Sequence, residues 1–254
     1  MTPDIAIVFG TYNRLPRLQA CIASIRRAAG SLTYVCLVAD GGSTDGSREW
    51  LVEQPDCELL EGGLDGAVRA FNVSFARAVD LGSPWVCQFN DDLVLHGALA
   101  DAVDVMAADE AVGAAAFPST RYSPGAPEFS PSMRWRGRCY ANQGLYRREA
   151  GMAAARFLGD PTGKQWWSPQ FHTYCADTVL GLTLWRLGWE VSPTDRLWVE
   201  DDYTNAAGHL DPLRLHNSEL NDETEAECFS AWYGDSAACE YHREDAGRCG
   251  GRLR

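Results

Sequence analysis

Two adjacent aspartates are the residues in this chain best suited to chemistry. Asn90-Asp91-Asp92 directly follows residues 85–89, an apolar run with the length and composition of a buried strand. In α/β proteins, carboxylates at the carboxyl end of a strand lie where ligands usually bind. Neighbouring carboxylates repel each other unless a cation lies between them, and Mg²⁺ or Mn²⁺ held by substrate phosphates suits that place. The alternative is a solvated turn with an Asx hydrogen bond.

Polar loops also follow two earlier apolar runs. Gly10-Thr11-Tyr12-Asn13-Arg14 comes after residues 5–9, and Asp40-Gly41-Gly42-Ser43 comes after residues 34–39. The carboxyl ends of parallel strands line one crevice, so we expect these loops to meet the acid pair there. A crevice with polar backbone loops and metal-binding acids suits a nucleotide diphosphate. Taken singly, each loop is equally well explained as a turn.

Alternating strands and helices are predicted to position these loops. Helical spacing of apolar residues predicts one helix from Pro16 and another that carries Val68 to Val79 on its inner face. Ser43 or Thr44 is expected to cap the helix between them. Strand and helix in alternation imply a parallel sheet with right-handed crossovers. The predicted strands of this half are residues 5–9, 34–39, 57–60 and 85–89.

The second half of the chain is less regular. Residues 119–136 are rich in Pro, Ser and aromatic residues and lack periodicity, as is typical of a long lid or binding loop. The tail from Glu200 onward is polar and acidic, with a helix expected over residues 223–232. The remaining predictions are helices over residues 99–108 and 178–187, the second ended by Gly188, and strands over residues 113–117, 142–148 and 189–191.

Composition and charge exclude several classes of protein. Apolar residues make up 46% of the 254 residues, which is typical of a globular chain, and the formal charge of −13 argues against a broad basic surface for nucleic acid. No apolar run reaches about eighteen residues, so no membrane span is expected. Asp4 interrupts any signal peptide. The nine cysteines lack Cys-x-x-Cys spacing and are interpreted as reduced core residues, so we expect a cytoplasmic protein.

The three loops resemble motifs of glycosyltransferase family 2, whose members have the GT-A fold. Residues 5–14 are similar to the family's first strand and its Tyr-Asn-Arg loop. Val38-Ala39-Asp40-Gly41-Gly42-Ser43 is close to the family's Val-Val-Asp-Asp-Gly-Ser signature. Asn90-Asp91-Asp92 stands where the family carries its Asp-x-Asp motif. The resemblance covers about residues 3–192.

Two further blocks support the resemblance. Arg69 and Asn72 are similar to the family's Ala-Arg-Asn helix, although two residues separate them here. Cys175-Ala176-Asp177, followed by Leu187-Gly188-Trp189, resembles the Glu-Asp block that precedes an aromatic residue in the family. The fold implied is α/β, a Rossmann-like and mostly parallel sheet flanked by helices. It would be a single GT-A domain, with a nucleotide-sugar half at residues 1–118 and an acceptor half with a C-terminal arm at residues 119–254.

The resemblance also implies a role for each motif. Thr11 and Asp40 hold the base, with Asp40 accepting a ring N–H of uracil or thymine, which favours UDP- or dTDP-sugar donors. Mn²⁺ or Mg²⁺ bound to Asp92 neutralises the leaving diphosphate. Asp177 is the general base for an acceptor hydroxyl, and a single displacement inverts the sugar. The implied donor contacts are Thr11, Asn13, Arg14, Asp40, Gly42, Asn72, Asn90 and Asp91, and the implied metal ligands are Asp92, Asp91 and His216.

The chain departs from the family pattern at two places. Asn90 replaces the first Asp of the metal motif, and Ala176 replaces the Glu that usually precedes the base. If Asp177 only caps its helix, the base lies instead in Glu200-Asp201-Asp202.

Other candidate contacts have two interpretations each. His216, and less strongly His209, could contact metal or diphosphate, although single histidines are more often structural. Trp166-Trp167 and Trp135 could stack on acceptor sugars or anchor the core. The basic side chains of Arg134, Arg136 and Arg138 could meet a phosphate or face solvent.

The hypothesis from sequence is therefore a metal-dependent, inverting transferase that uses a nucleotide sugar. The acceptor hydroxyl could belong to a saccharide, a lipid-linked intermediate, a protein or a modified nucleobase, and the oligomeric state is not predicted. A nucleotidyltransferase would need a glycine-rich loop ending in basic residues, and a Rossmann dehydrogenase would need Gly-x-Gly-x-x-Gly; neither follows the first strand. A non-catalytic nucleotide-binding protein of the same fold, favoured by Asn90 and Ala176, is one alternative, and a nucleotidyltransferase stays the other.

Overall fold

The computed structural model describes residues 2–63, 65–121, 128–130, 133–135, 138–172 and 176–201. The helices in this part of the chain are α1 (Leu15–Ala29), α2 (Ser47–Val52), α3 (Ala67–Leu81), α4 (Leu99–Ala108), α5 (Arg148–Phe157) and α6 (Ala176–Arg186). The strands up to residue 116 are β1 (Ile5–Thr11), β2 (Tyr34–Asp40), β3 (Cys57–Glu61), β4 (Trp85–Gln88), β5 (Leu93–His96) and β6 (Val112–Ala116). The later strands are β7 (Ser119–Arg121), β8 (Glu128–Ser130), β9 (Met133–Trp135), β10 (Arg138–Tyr140), β11 (Gly144–Arg147), β12 (Glu190–Pro193) and β13 (Trp198–Asp201).

A seven-stranded sheet in the order β12-β6-β11-β4-β1-β2-β3 forms the centre of the fold. Its neighbouring strands are parallel except at β11, which is antiparallel to both β4 and β6. Both faces of β1 are covered, because all five residues from Ile5 to Phe9 are fully buried. Continuous apolar runs are typical of strands buried in this way. The predicted α/β fold with a mostly parallel sheet is therefore confirmed.

The helix α1 packs its apolar face inward. The predicted face residues Leu18, Cys21, Ile22 and Ile25 are all fully buried. Burial of each large aliphatic side chain of this kind contributes about 1.5–3 kcal/mol. The polar N-terminus of α1 is thereby fixed beside the sheet, directly after the loop that carries Arg14.

The helix α3 packs against β1, β2 and β3 and is held by aromatic stacking. Phe71 stacks on Trp167 with ring centroids 4.1 Å apart, and Phe75 stacks on Trp166 at 4.7 Å. Val68, at the start of α3, is buried as predicted, whereas Val79 is only partly buried.

A second, four-stranded sheet in the order β5-β13-β7-β8 and a β9-β10 pair were not predicted. The prediction that residues 119–136 form one long loop was wrong, because β7, β8 and β9 lie within it. Strands of three residues are too short to show a period of two. The helix α5 was also missed, since its inner face consists of small residues around Gly151.

The predicted cap of α2 was wrong. Gly46, with φ +93°, precedes this helix, and neither Ser43 nor Thr44 caps it. Instead Asp45 accepts the backbone N–H of Ser47 at 3.1 Å and that of Leu15 at 2.8 Å, which also ties α2 to α1. An Asp two residues before an N–H is well placed for such a bond.

Cysteine usage and hydropathy agree with the sequence analysis. The free thiols of the described residues are those of Cys21, Cys36, Cys57, Cys87 and Cys139, and most of them are buried. Within the same residues, none of the helices combines the length and the apolar character that a membrane crossing requires. The helix predicted over residues 223–232 lies outside the described residues.

Candidate active site

The ends of three strands meet at one edge of the central sheet. The strand β1 pairs with β2 on one side and with β4 on the other, so their carboxyl ends lie side by side. Thr11, the last residue of β1, donates its hydroxyl to Asp91 Oδ2 at 2.7 Å. Its carbonyl accepts the N–H of Gly41 at 2.9 Å. The loops after β1, β2 and β4 therefore converge as the sequence predicts.

Asn13 joins two of these loops. Its backbone N–H donates to Ser43 Oγ at 2.9 Å, and its side-chain oxygen accepts the N–H of Thr44 at 2.8 Å. The backbone of Asn13 has φ +51°, a conformation that Asn adopts more readily than most residues. Asn13 is exposed beside the crevice, so it both shapes the edge and borders it.

Asp91 and Asp92 are buried, and a cation does lie between them. Arg14 Nη1 is 3.2 Å from Asp91 Oδ1 and 3.0 Å from Asp92 Oδ2. Burial raises the pKa of Asp91 to about 6, while the Arg14 charge and the Thr11 hydroxyl oppose that rise. The positive charge that the sequence predicts for this place is thus supplied here by a guanidinium. Asn90, partly buried before the pair, accepts a hydrogen bond from Cys21 Sγ at its carbonyl.

The acid pair fits a divalent ion only as a partial site. Among the residues with a described structure, no cluster of three or more Asp, Glu, His or Cys side chains could hold a metal. Mg²⁺ and Mn²⁺ commonly take one or two protein carboxylates and complete their shell with water and substrate phosphates. Asp91 and Asp92 meet that requirement once a diphosphate is present. His216 and His209 lie outside the described residues.

Asp40, the predicted acceptor for a base, has several hydrogen-bond partners within the protein, and its contact with a base stays a prediction. Asp40 is fully buried and accepts hydrogen bonds from Arg48 Nη1 at 2.7 Å and from Ser43 Oγ at 2.5 Å. The N–H groups of Gly42 and Ser43 each donate to its Oδ1 at 2.9 Å. Burial acts to raise the pKa of Asp40, but these hydrogen bonds outweigh it and the pKa lies below its usual value. Asp40 therefore holds the loop after β2, including Gly42 with φ +90°, in its turn.

Sequence reasoning missed the two residues that complete this arrangement. Arg48, in the first turn of α2, bridges Asp40 and Glu61, with Nη2 2.5 Å from Glu61 Oε1. Glu61 ends β3 and is exposed. No spacing in the sequence links the three residues. The only available signal was that the ends of adjacent strands β2 and β3 both carry an acid.

Asn72 is also engaged inside the protein rather than at the crevice. Its side-chain amide donates to the Trp167 carbonyl at 2.8 Å and accepts the Trp167 N–H at 3.0 Å. Direct donor contact by Asn72 stays a prediction. Trp166 and Trp167 are buried, so they anchor the core and do not stack on acceptor sugars. The side chains of Trp135, Arg134, Arg136 and Arg138 lie outside the described residues.

Asp177 lies in the first turn of α6 and is partly buried. Its Oδ1 accepts the N–H of Thr178 at 2.8 Å. After burial, the charge of Asp177 is the next cause that raises the pKa of Tyr146, which places this carboxylate near β11. The alternative base Glu200 lies on the second sheet, where its Oε2 is 2.9 Å from His96 Nε2. The side chains of Asp201 and Asp202 are outside the described residues.

A parallel sheet whose first, second and fourth strands deliver polar loops and an acid pair to one edge defines a fold of the GT-A type. The model of the glycosyl transferase family 2 matches residues 6–167, more than half of the chain, so the chain belongs to this family. It is therefore an enzyme that transfers sugars. No curated protein matches the chain by sequence.

Solved structures share the fold at low sequence identity. The mannosyltransferase PcManGT from Pyrobaculum calidifontis, in complex with GDP-Man and Mn²⁺, is 17% identical with a TM-score of 0.62, over 97% of this chain and 71% of its own. Residues 1–349 of TarS from S. aureus, in complex with UDP, are 13% identical with a TM-score of 0.59, over 92% of this chain and 73% of their own.

Proposed function

We propose that the chain is an inverting, metal-assisted transferase that moves a sugar from a nucleoside diphosphate to an acceptor hydroxyl. The observation that carries this proposal is the edge where Thr11, Arg14, Asp91 and Asp92 meet within hydrogen-bonding distance. The GDP-Man and Mn²⁺ in complex with PcManGT and the UDP in complex with TarS support a nucleoside-diphosphate donor for this fold.

The proposed division of labour follows the chain. Residues 1–118 contain all three converging loops and form the donor half, and residues 119–254 contain Asp177 and form the acceptor half. Donor contacts are assigned to Thr11, Asn13, Arg14, Gly42, Asn90 and Asp91. Asp40 and Asn72 act indirectly, by fixing the backbone beside these contacts.

Asp92 is assigned to the metal, with Asp91 beside it. When bound, Mn²⁺ or Mg²⁺ supplies Lewis-acid neutralisation of the leaving diphosphate. Asp91 uses its two oxygens for Thr11 and Arg14 and so fixes the position of the acidic loop. His216 remains a predicted additional ligand.

The proton transfer is assigned to Asp177. Its carboxylate takes the proton of the acceptor hydroxyl as that oxygen bonds to the anomeric carbon. The bond from this carbon to the diphosphate oxygen breaks in the same step, and the nucleoside diphosphate leaves with its electron pair. A single displacement inverts the configuration and requires no covalent sugar–enzyme intermediate. The acceptor is a hydroxyl compound, such as a saccharide, a lipid-linked intermediate, a protein or a modified nucleobase.

The base of the donor is tested separately. The preference for uracil or thymine depended on a free acceptor at Asp40, and Ser43 and Arg48 occupy that side chain. A thermal-shift screen should therefore include GDP-, UDP- and dTDP-sugars, each with and without Mn²⁺. We expect one donor class to stabilise the enzyme only with metal. Release of nucleoside diphosphate under the same conditions then measures turnover, and no release from any donor refutes the proposal.

Two substitutions separate metal binding from proton transfer. Asp92→Ala is expected to remove the metal-linked thermal shift. Asp177→Asn is expected to keep the shift and to lower transfer by about 10²–10⁴-fold, because the base is lost while the donor site is intact. Asp104→Asn, which neutralises an exposed acid of α4, serves as the matched control and should change neither. Full transfer by Asp177→Asn would remove Asp177 as the base.

A further inference from the structure

The guanidinium of Arg14 lies between the carboxylates of Asp91 and Asp92 and pairs with both of them. The side chains of Asp91 and Asp92 are 6% and 1% exposed, and that of Arg14 is 16% exposed, so the ion pairs are screened from solvent. Arg14 thus makes the electrostatic contact that a divalent cation would make with the same carboxylates. A cation arriving at Asp92 would meet both the attraction of two acids and the repulsion of Arg14.

The backbone around Arg14 is fixed, whereas its side chain is partly exposed. Its carbonyl accepts the N–H of Leu18 at 2.9 Å, which anchors the start of α1. Asp91 also accepts a hydrogen bond from Thr11, a contact in which Arg14 takes no part. The acid pair can therefore exchange its counter-ion while Asp91 stays oriented. A guanidinium released from two carboxylates is well suited to a diphosphate, because its planar fork binds phosphate oxygens in pairs.

We propose that Arg14 is a built-in competitor of the divalent cation, which holds Asp91 and Asp92 in the donor-free enzyme and moves to the donor diphosphate when the cation binds. This inference deepens the proposed function and depends on it. If Arg14 competes in this way, the cation and the diphosphate bind synergistically. The cation binds weakly alone, and the diphosphate strengthens cation binding by giving Arg14 an alternative partner. By linkage the cation strengthens diphosphate binding by the same factor.

The test is a titration of the full-length protein with Mn²⁺, followed by electron paramagnetic resonance of the free ion. It is done without nucleotide and with saturating UDP or GDP. For the wild type we expect the diphosphate to tighten Mn²⁺ binding by about tenfold or more. Arg14→Ala is expected to bind Mn²⁺ alone about tenfold more tightly than the wild type and to show correspondingly less synergy, because only coordination of the ion by the phosphates then contributes. A variant with only general structural damage would bind the ion more weakly.

Two control variants separate charge from position. Arg14→Lys keeps the positive charge and should retain weak Mn²⁺ binding in the absence of nucleotide. Arg27→Ala removes an exposed arginine of the same helix, about 20 Å further along its axis, and should behave as the wild type. Far-UV circular dichroism checks that each variant is folded. If Arg14→Ala does not fold, Arg14→Gln replaces it, because glutamine removes the charge and keeps a polar side chain, and unchanged or weaker Mn²⁺ binding by that variant overturns the proposal.

The outcomes distinguish this inference from the proposed function. Unchanged or weaker Mn²⁺ binding by folded Arg14→Ala, with sugar transfer intact in the wild type, overturns the role of Arg14 alone. Loss of the proposed function would appear instead as no release of nucleoside diphosphate from any donor by the wild type. Tighter Mn²⁺ binding by Arg14→Ala, with synergy reduced, supports the competition.

Discussion

Asp40 shows how one side chain can look like a ligand contact and serve as a structural anchor. It lies at the end of β2 beside the crevice, yet its oxygens face Ser43, Arg48 and backbone N–H groups. A buried carboxylate is tolerated because these donors replace water. The turn after β2, which borders the crevice, is therefore fixed before any donor binds.

Asp40→Asn is expected to lower the free energy of unfolding by about 2 kcal/mol, because a neutral amide replaces the charged carboxylate that accepts these hydrogen bonds. Glu61→Gln is the matched control, since Glu61 pairs with the same Arg48 but is exposed, and no measurable change is expected. Urea unfolding followed by circular dichroism measures both. Equal losses in the two variants would contradict the assignment of Asp40 as the anchor.

The candidate site was predicted in its location but not in its internal contacts. Consecutive strand ends carried Thr11, Asp40 and Asp91, and parallel topology alone brings such ends together. The partner of Asp40 could not be predicted, because Arg48 reaches it from the next helix and no local spacing sets that side-chain direction. The sequence left open whether Trp167 anchors the core or stacks on a sugar, because its partner Asn72 lies 95 residues earlier and no local spacing links the two.

At the scale of elements, Asp56 ties α1 to the strands beside it. Arg26 of α1 makes two hydrogen bonds to Asp56 at 2.9 and 2.6 Å, and the Tyr34 hydroxyl of β2 donates to it at 2.7 Å. The Arg26 hydrogen bond is the main cause that lowers the pKa of Asp56 to about 2. Asp56 directly precedes β3, so the three contacts join one helix and two strands.

This pairing predicts a loss of stability in acid. The folded pKa of Asp56 lies below the unfolded value, so the folded state binds fewer protons than the unfolded state. The contribution of Asp56 to the free energy of unfolding is therefore complete above about pH 4 and is lost as the pH falls towards 2. Asp56→Asn should remove about 2 kcal/mol of stability at neutral pH and flatten the profile between pH 4 and 2. Urea titrations at several pH values measure this. Asp104→Asn should keep the wild-type profile, and an unchanged profile in Asp56→Asn would refute the prediction.

The contact between α5 and the core depends on a residue without a side chain. A Cβ on Gly151 would overlap with the ring of Trp166, which is fully buried and stacks on Phe75. Gly151→Ala is therefore expected to destabilise the protein by about 1–3 kcal/mol, even though Ala favours helix.

The same substitution in a Trp166→Phe background should cost less, because the overlapping ring atoms are gone. A double-mutant cycle from urea unfolding gives the coupling between the two sites. Additive losses in this cycle would show that the overlap is relieved by movement of the backbone.

At the scale of the whole molecule, strands from residues 1–118 and from the later part of the chain share one sheet. The strand β11, from the second half, lies between β4 and β6 of the first, and β12 pairs with β6 at the edge. The buried runs of the first half allowed the parallel part of this sheet to be predicted. The position of β11 was not predictable, because an apolar run shows burial without showing which strands flank it.

A shared sheet predicts a single cooperative unfolding transition for the full chain, with coincident curves from circular dichroism and tryptophan fluorescence. A fragment of residues 1–118 should show no cooperative transition, because β4 and β6 would lack the strand between them. Urea titrations measure the unfolding transitions of the full chain and of the fragment. Cooperative unfolding of the fragment would show that the first half folds independently.

The position of β11 also sets an order of events during synthesis. This strand is translated after β6 but must enter between β6 and β4, so in a nascent polypeptide β4 and β6 each lack this neighbour until residue 147 has been translated. Exposed edges of this kind are where unfinished chains associate with one another. We therefore expect nascent chains that end between residues 116 and 147 to associate with one another more readily than chains that include β11.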